Sequence, residues 1–386
     1  MLSLPVYAIA CGVGDEKTDG GAAAVRDSSG VRIVTSRVPA NGFSAYGMLS
    51  PSPTLIVGAY GKEGGTPMGE VAGASSLPDG RIAVADGTSR EIRFFSAAGD
   101  PIAVVGSEGP DSARFQSVSR MGRVAGDTVW VADHRAGRLA LVTPAGVAGR
   151  FDFPLGLTVA GRFADDGYLM VPVWSTSLLQ PDWKEGVRRD SASWGLWWPR
   201  RADARRLPDF PHDEIMVLKG PEGPVVGVPP FGRRTSRVVG AEEFLVGDQV
   251  TFEIRRYRPD GRLAGIIRLE GVDLTLTEAL KASVRPPRVE GDTSLVDRLW
   301  AGVPPTRPAY TRLVLDGVGN LWVAEHVAGM EPPRTWLVFS PDGAALGFVA
   351  MPAGFEVHEI GADWVLGAAS VPGGYRVARF ALSRTR

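Results

Sequence analysis

Short apolar runs separated by glycine-containing turns recur along the chain. Four segments share an apolar run, a tight turn with Gly and a second apolar run: IRFFSAAGDPIAVVG (92–106), RLALVTPAGVAGRF (138–151), IRRYRPDGRLAGII (254–267) and WLVFSPDGAALGFV (336–349). Turns that contain Pro, Asp and Gly between apolar runs are typical of β-hairpins. Each segment is therefore predicted to form a strand–turn–strand unit.

A second pattern precedes three of these units. The segments LPDGRIAVADG (77–87), VAGDTVWVADH (124–134) and LDGVGNLWVAEH (315–326) each contain a turn and then an apolar strand that ends in Ala-Asp or Ala-Glu. Together the two patterns give four strands in a repeat of roughly 45 residues, which is the size of a β-propeller blade. The strands are apolar on both faces, as strands of blades packed on both sides must be.

The repeats predict an all-β fold, a six-bladed β-propeller with four-stranded antiparallel blades, over residues 30–386. The last blade (355–382) lacks an outer strand, and residues 53–58 resemble the outer strand of the first blade. This N-terminal segment is therefore predicted to complete the last blade and close the ring, which removes exposed sheet edges. Residues 30–38 are predicted to add a strand at the same seam.

Two long insertions interrupt the repeats. Residues 174–213 fall in the loop between the second and third strands of blade 3, whose last two strands are predicted within 214–228. Residues 272–308 fall in the crossing from blade 4 to blade 5. Both connections lie on the same face of a propeller, and loops on a rigid scaffold often carry function. We therefore expect the functional site on this face.

The second insertion contains two candidate helices, 275–284 and 293–302. The first opens with a Thr-x-x-Glu pattern at Thr275 and Glu278, which is the signature of a helix capping box.

The single cysteine, Cys11, follows a short apolar segment and precedes a polar, glycine-rich run over 12–30. This order is similar to a bacterial lipoprotein signal, so residues 1–29 are predicted to be a signal-like segment and flexible tether with a lipidated Cys11. Pro5 interrupts the apolar segment and no basic residue precedes it, which favours the alternative of an incidental cysteine.

Composition excludes several classes of function. The net charge of −1 provides no field for nucleic acid or an anionic membrane surface, and no apolar stretch is long enough to span a bilayer. One cysteine excludes an internal disulfide and a thiolate metal cluster. The Gly-x-Ser-x-Gly elbow, the phosphate-binding loop and His-Glu-x-x-His are all absent from the sequence.

Several longer segments resemble the NHL-like six-bladed β-propeller lipoproteins of bacteria, a largely uncharacterised family. They are VRDSSGVRIVTS (25–36), VADGTSREIRFFSAAGDPIAVVGSEGP (84–110), LVLDGVGNLWVAEH (313–326) and WLVFSPDG (336–343). In the family the interblade loop usually reads Gly-Glu-Gly-Pro-Gly-Glu-Phe, whereas this chain has GSEGPDSARF at 106–115. The resemblance implies the fold and a cell-envelope location, but no specific activity.

The first insertion is rich in Trp and Arg. Its candidate ligand-binding residues are Trp183, Trp194, Trp197, Trp198, Arg188, Arg189, Arg200 and Arg201. Trp offers flat apolar area and Arg a planar fork for carboxylate or phosphate, so this set favours a site for a protein, peptide or glycan. The alternative is a small core that fixes the insertion to the blades. The leading prediction is thus a monomeric, lipid-anchored binding or scaffold module without a cofactor.

Acidic residues at the ends of second strands favour a rival function. Asp86, Asp133, Asp248 and Glu325, with His134 and His326, could hold Ca²⁺ or Zn²⁺ at the channel mouth. Propeller lactonases of the gluconolactonase type resemble this arrangement, which implies a divalent-metal-dependent hydrolase. The alternative is that each Asp accepts hydrogen bonds from the backbone of its own loop.

Overall fold

The computed structural model describes residues 23–58, 67–106, 114–152, 160–161, 167–173, 184–201, 203–220, 222–285, 294–329 and 331–385. The N-terminal strands are β1 (Ala24–Ser28), β2 (Val31–Arg37), β3 (Gly47–Leu49) and β4 (Leu55–Gly58). Blades 1 and 2 contain β5 (Val71–Ser76), β6 (Ile82–Asp86), β7 (Glu91–Phe95), β8 (Pro101–Val105), β9 (Arg120–Arg123), β10 (Val129–Asp133), β11 (Arg138–Thr143) and β12 (Gly146–Asp152).

The middle of the chain contains β13 (Ala160–Gly161), β14 (Leu169–Val173), β15 (Gly186–Arg188), β16 (Ser191–Trp198), β17 (Asp203–Arg206), β18 (Phe210–Pro211), β19 (Ile215–Gly220) and β20 (Gly223–Gly227), with a 3₁₀ turn at Pro199–Arg201. Blade 4 contains β21 (Ser236–Val239), β22 (Phe244–Gly247), β23 (Glu253–Tyr257) and β24 (Leu263–Glu270), followed by helices α1 (Glu278–Val284) and α2 (Ser294–Ala301). Blades 5 and 6 contain β25 (Arg312–Leu315), β26 (Leu321–Ala324), β27 (Thr335–Phe339), β28 (Ala345–Ala350), β29 (Phe355–Ile360), β30 (Trp364–Val371) and β31 (Gly374–Arg384).

The blades are antiparallel sheets whose strands follow one another in sequence order from the inside outward, for example β5-β6-β7-β8 and β25-β26-β27-β28. Their first strands contact one another: β5 with β9 and β29, β21 with β13 and β25, and β25 with β29. First strands that surround an axis in this way define a β-propeller, the predicted fold. The number of six blades stays a prediction, because residues that join blades 2 and 3 lie partly outside the described ranges.

The N-terminal segment joins the last blade. Strand β4 pairs antiparallel with β31, with Val57 opposite Val377, so the N-terminal segment provides the outer strand of the last blade. Both valines are buried in one core cluster.

The prediction that residues 30–38 add a strand at this seam is wrong. Strand β2 instead pairs in parallel with β24, the outer strand of blade 4, and Val34 lies opposite Ile267. Ile33 and Val34 are buried against β24, and this burial explains why β2 pairs there. The chain then continues past the outer edge of blade 5, where Ala45 bridges Phe348, to blade 6. Residues 24–58 thus form an N-terminal belt along three blades.

Blade 3 also differs from the prediction. Its third strand is β16, which pairs with β14 and β17, whereas the predicted last strands within 214–228 form β19 and β20 of a separate three-stranded sheet with β15. The physical reason is burial. Strand β16 carries apolar side chains on both faces and fits between blades, whereas Val225 and Val226 of β20 are exposed.

The inserted segments come together on one face. Strand β15 lies in the loop between the second and third strands of blade 3, β19 and β20 in the crossing to blade 4, and both helices in the crossing to blade 5. Arg298 of α2 donates to the Lys219 carbonyl at 2.9 Å and pairs with Glu185. We call residues 184–190, 212–220, 222–235, 273–285 and 294–307 the cap. The N-cap of α1 is Thr277, which accepts from the Leu280 N–H, rather than the predicted Thr275.

Candidate functional site

A cavity of about 1860 Å³ runs through the centre of the propeller. The first strands of blades 1, 2, 4, 5 and 6 line it, and residues 228–232 and 299–300 of the cap cover one end. The second strand of each blade ends on the face that carries the cap. The first strand is antiparallel to the second, so it begins on that same face. Residues at the starts of the first strands therefore surround the mouth beneath the cap.

Arginines converge at this mouth. Arg120 and Arg312 are the first residues of β9 and β25, and Arg237 is the second residue of β21. The Arg312 Nη1 atom donates to the Val357 carbonyl at 2.8 Å and lies 3.8 Å from Glu356 Oε1. Within the part of the chain that the structure describes, the Arg120 guanidinium makes no hydrogen bond. The mouth therefore holds a cation whose donors remain available.

The surrounding protein weakens the solvation of these cations. Loss of solvent lowers the pKa of Arg120 and of Arg312, while the nearby Glu356 carboxylate partly opposes the effect. Repulsion from Arg120 adds to the lowering for Arg312. Burial lowers the pKa of Arg237 to about 10, and its guanidinium lies 3.5 Å from the ring centroid of Trp194. All three are cations near pH 7, because a guanidinium group is not deprotonated in proteins.

The carboxylates of the cavity do not balance this charge at the mouth. Glu359 accepts from the Ser76 N–H at 2.9 Å, and Asp213 accepts from the Thr235 N–H at 3.0 Å. The Glu70 carboxylate lies against Gly87 at the turn of blade 1. Glu356 is the carboxylate that faces Arg120 and Arg312, and Asp213 attracts Arg237. Three arginines thus face two carboxylates, and a net positive charge remains for an anionic ligand.

Two histidines border the same cavity. His358 is the extra residue of a β-bulge between Val357 and Glu359, and bulges often place a side chain at a site. Burial, and then the neighbouring Arg312, lowers the pKa of His358 to about 3. Burial, and then Arg307, lowers the pKa of His326 to about 4. Both imidazoles are therefore neutral near pH 7.

The cap places aromatic rings over the mouth. The Phe231 ring centroid lies 6.4 Å from that of Trp300 and 5.9 Å from that of His326. All three side chains line the cavity. The mouth thus has arginines on its propeller side, which we call the floor, and aromatic rings on its cap side, which we call the roof.

Two of the four tryptophans predicted to bind ligand are part of the core. Trp194 and Trp197 are 3% and 6% exposed and lie in strand β16 between blades. Trp198 is half-buried and lies 5.5 Å from the Tyr168 ring centroid. Trp183 lies outside the described residues. For Trp194 and Trp197 the structure favours the alternative interpretation, a core that fixes the segment to the blades.

The predicted arginines of this segment divide into two groups. Arg188 pairs with Asp190 of its own segment at 2.8 Å. Arg189 donates to the carbonyls of His212 and Asp248 and so attaches the cap to blade 4. Arg200 and Arg201 lie exposed on the 3₁₀ turn. Trp198 and Arg201 line a separate groove of about 600 Å³, together with Arg205, Arg258 and Arg262 among others.

Two of the predicted metal ligands are occupied by their own loops. Asp86 accepts from the N–H groups of Thr88 and Ser89, and its carboxylate lies 3.3 Å from Arg93. Asp133 accepts from the N–H groups of Gln116, Ser117 and Ala136 and from the Arg138 side chain. Both carboxylates are fully buried. These contacts favour the loop-capping interpretation and fit a metal ion poorly.

The other predicted ligands do not gather around one point. Asp248 accepts from the Val250 N–H at 3.0 Å, and Glu325 is exposed. The pKa of His134 is lowered by burial and by Arg120, while His326 packs against Phe231 in the cap. Among the described residues no group of three or more His, Cys, Asp or Glu side chains is arranged to hold a metal ion.

The sequence did carry a signal for the arginines that the motif search missed. The dipeptides Ser119-Arg120, Ser236-Arg237 and Thr311-Arg312 recur at or next to the start of a first strand. A basic residue at the same place in several repeats of a closed ring must face its counterparts near the axis. This recurrence distinguishes them from arginines scattered over the surface.

No family model matches the sequence, and no curated protein matches it. Among solved structures, the chain is similar to a protein of Bacteroides fragilis described as exported, with a TM-score of 0.50 and 10% identity over 92% of this chain and 100% of that chain. The fold is a β-propeller. The chain is also similar to virginiamycin B lyase from Staphylococcus aureus, with a TM-score of 0.42 and 11% identity over 95% and 96% of the two chains. A gluconolactonase from Xanthomonas campestris gives a TM-score of 0.41 and 13% identity over 82% and 88%. At 10% identity the likeness to the exported protein concerns the fold alone.

Proposed function

We propose that this β-propeller is a non-catalytic binding module that takes an anionic group of a protein, peptide or glycan into the mouth beneath the cap. One observation carries the proposal: Arg120 and Arg312 present guanidinium groups to the channel, and Arg120 makes no hydrogen bond within the described residues. A guanidinium group that makes no hydrogen bond can donate to an anion, and such charge-assisted hydrogen bonds are roughly twice as strong as neutral ones.

The acidic residues support binding over metal-dependent hydrolysis. Asp86 and Asp133 would have to release several backbone N–H groups and an arginine each before either could ligate a metal ion. Arg120 could bind an anion without first breaking a hydrogen bond among the described residues.

A titration with citrate tests the proposal, because citrate offers several carboxylates in a small molecule. We expect wild-type protein to bind citrate at low ionic strength and more weakly as salt is added. Arg120→Met and Arg312→Met should each weaken binding at least tenfold, measured by calorimetry.

Arg262→Met is the matched control. Arg262 pairs with Asp260 at 2.6 Å at a turn on the opposite face and is largely exposed. Its replacement should leave citrate binding unchanged. Equal affinity of wild type and both mouth variants, or no binding by wild type at all, would reject the proposal.

We further propose that the module works in a bacterial cell envelope, attached by a lipid at Cys11. The order of apolar segment, cysteine and polar tether supports this proposal. Cys11 lies outside the described residues, and no described helix is long and apolar enough to cross a membrane. Labelled fatty acid should be incorporated into the protein in its native host and should be lost in Cys11→Ala. Equal labelling of both proteins, or of neither, would contradict lipid attachment at this residue.

A further inference from the structure

Two ring nitrogens at the mouth have no hydrogen-bond partner. Nδ1 of His326 and Nε2 of His358 are buried, and neither has a partner among the described residues. Buried polar atoms in folded proteins are nearly always paired, so each unpaired atom needs an explanation. Both histidines line the same cavity as Arg120 and Arg312. A ligand in this cavity would provide the missing partners.

The roof of the mouth is apolar and is held in an unusual conformation. Phe231 is 8% exposed and has a φ of +57°, in the left-handed region that bulky side chains rarely adopt. The Gly232 N–H donates to the Pro229 carbonyl at 2.9 Å, and Arg233 pairs with Glu214 at 2.9 Å. These contacts fix the loop against the strain at Phe231. Backbone strain of this kind is concentrated at ligand sites.

Trp300 completes the roof from the other insertion. Its ring meets that of Phe231 at 80°, and the Arg285 guanidinium lies 5.7 Å from its centroid. The Trp300 side chain is only partly buried and lines the cavity. It therefore offers a flat apolar surface to whatever enters beneath the cap.

We propose that the ligand of this mouth is amphipathic, with one anionic group held by Arg120 and Arg312 and one apolar ring or acyl group packed beneath Phe231 and Trp300. The two neutral histidines hydrogen-bond the polar atoms that lie between these groups. This inference rests on the proposed function and adds the chemical class of the ligand.

Neither a purely ionic nor a purely apolar ligand fits all of these features. A small inorganic anion would contact the floor and leave the roof and the nitrogen of His326 unused. An uncharged apolar ligand would contact the aromatic rings and leave the hydrogen-bond donors of Arg120 without an acceptor among the described residues.

Three probes separate these possibilities: 3-phenylpropionate, propionate and 3-phenylpropanol. The first carries both groups, the second only the anion and the third only the ring. We expect 3-phenylpropionate to bind the full chain at least tenfold more tightly than either of the others, measured by NMR titration at up to millimolar concentration. The Nδ1 resonance of His326 and the Nε2 resonance of His358 should move on binding.

Variants distinguish this inference from the proposed function. Trp300→Ala should weaken 3-phenylpropionate at least fivefold and leave propionate unchanged, whereas Arg312→Met should weaken both acids. Equal binding of the two acids by wild type, with loss in Arg312→Met, would keep the proposed function and overturn the amphipathic ligand. If neither acid binds wild type, both fail.

Folding of the variants is checked separately. If Trp300→Ala does not fold, Trp300→Phe replaces it and should weaken 3-phenylpropionate less than twofold, since a ring remains in the roof. The histidine resonances of wild type then decide: no shift with saturating 3-phenylpropionate would overturn the inference without any variant.

Discussion

The guanidinium of Arg312 lies 3.8 Å from the carboxylate of Glu356, across the junction between blades 5 and 6. The same guanidinium lowers the pKa of His358, two residues beyond Glu356. Burial is the main cause of the low pKa of His358, and an arginine of the neighbouring blade lowers it further. This link makes the electrostatics of the mouth measurable without a ligand.

Replacement of Arg312 should raise the pKa of His358. In Arg312→Met we expect an NMR titration of the imidazole to give a value above about 3, and still below the ordinary value, because burial is the larger cause of the shift. Arg307→Met is the control: it should raise the pKa of His326, now about 4, and leave His358 unchanged. An unaltered His358 titration in Arg312→Met would contradict the arrangement.

Stability should fall in acid because of the same histidines. In the unfolded chain they take up protons below roughly pH 6.5, but in the folded chain only near 4 for His326 and near 3 for His358. Their contribution is therefore complete above pH 6.5 and is lost as the pH falls through this window. Each histidine adds at most about 1.4 kcal/mol per pH unit to the slope of the free energy of unfolding against pH. Urea midpoints measured from about pH 7 to about pH 4 should fall less steeply for His358→Gln; an identical slope would contradict the assignment.

Gly247 is predicted to tolerate no side chain. A Cβ at this position would overlap the hydroxyl of Tyr310, which is fully buried and donates to the Glu253 carbonyl at 3.1 Å. Gly247→Ala should cost about 1–3 kcal/mol through overpacking, and less in a Tyr310→Phe background, as a double-mutant cycle in urea would show. Gly149→Ala is the control, since its Cβ would lie 3.7 Å from Leu141. Additive costs of the two changes would refute the steric explanation.

Much of the fold could be predicted because each sequence repeat shows the strands and turns of one blade. The runs around Ile82 and Trp130 are apolar on both faces, and strands of that kind fit only between packed layers. The similarity of residues 53–58 to a blade's outer strand predicted the closure with β31, and the pairing confirmed it. Local pattern and global topology agree at these places.

The sequence was ambiguous where two segments compete for one place in a sheet. In blade 3, SASWGLWW and the pair of runs within 214–228 are both apolar enough for strands, and burial of Trp194 and Trp197 decided for the former. The N-terminal belt was ambiguous for the same reason. The segment VRIVTS could pair with the exposed outer strand of any blade, and only tertiary contacts place it on blade 4.

The site was predicted in part. The positions of the insertions predicted the face on which the cap lies, because chain connectivity alone determines the face. The residues were missed because an arginine at the start of a strand carries no motif by itself. The role of Arg120 appears only when ring closure brings it near Arg312 and Glu356.

The last strand of the chain should depend on one buried carboxylate. Asp316 is 6% exposed, and its Oδ2 accepts from Trp322 Nε1 and from Arg384 Nη2, both at 2.9 Å. Arg384 ends β31 and also donates to the Tyr46 hydroxyl at 3.1 Å, so these contacts join blade 5, blade 6 and the N-terminal belt. Removal of one partner of a buried ion pair leaves the other charge uncompensated.

Asp316→Ala should therefore cost about 3–5 kcal/mol. Tyr46→Phe removes the two hydrogen bonds that the Tyr46 hydroxyl accepts from Arg384 and Asn320, and should cost about 1–2 kcal/mol. Urea denaturation gives both values, and amide exchange along β31 should accelerate in Asp316→Ala before exchange in blades 1 and 2. If Asp316→Ala costs no more than Tyr46→Phe, or if its extra exchange is spread evenly over the propeller, the carboxylate does not hold the last strand, and backbone pairing with β4 and β30 is sufficient to close the ring.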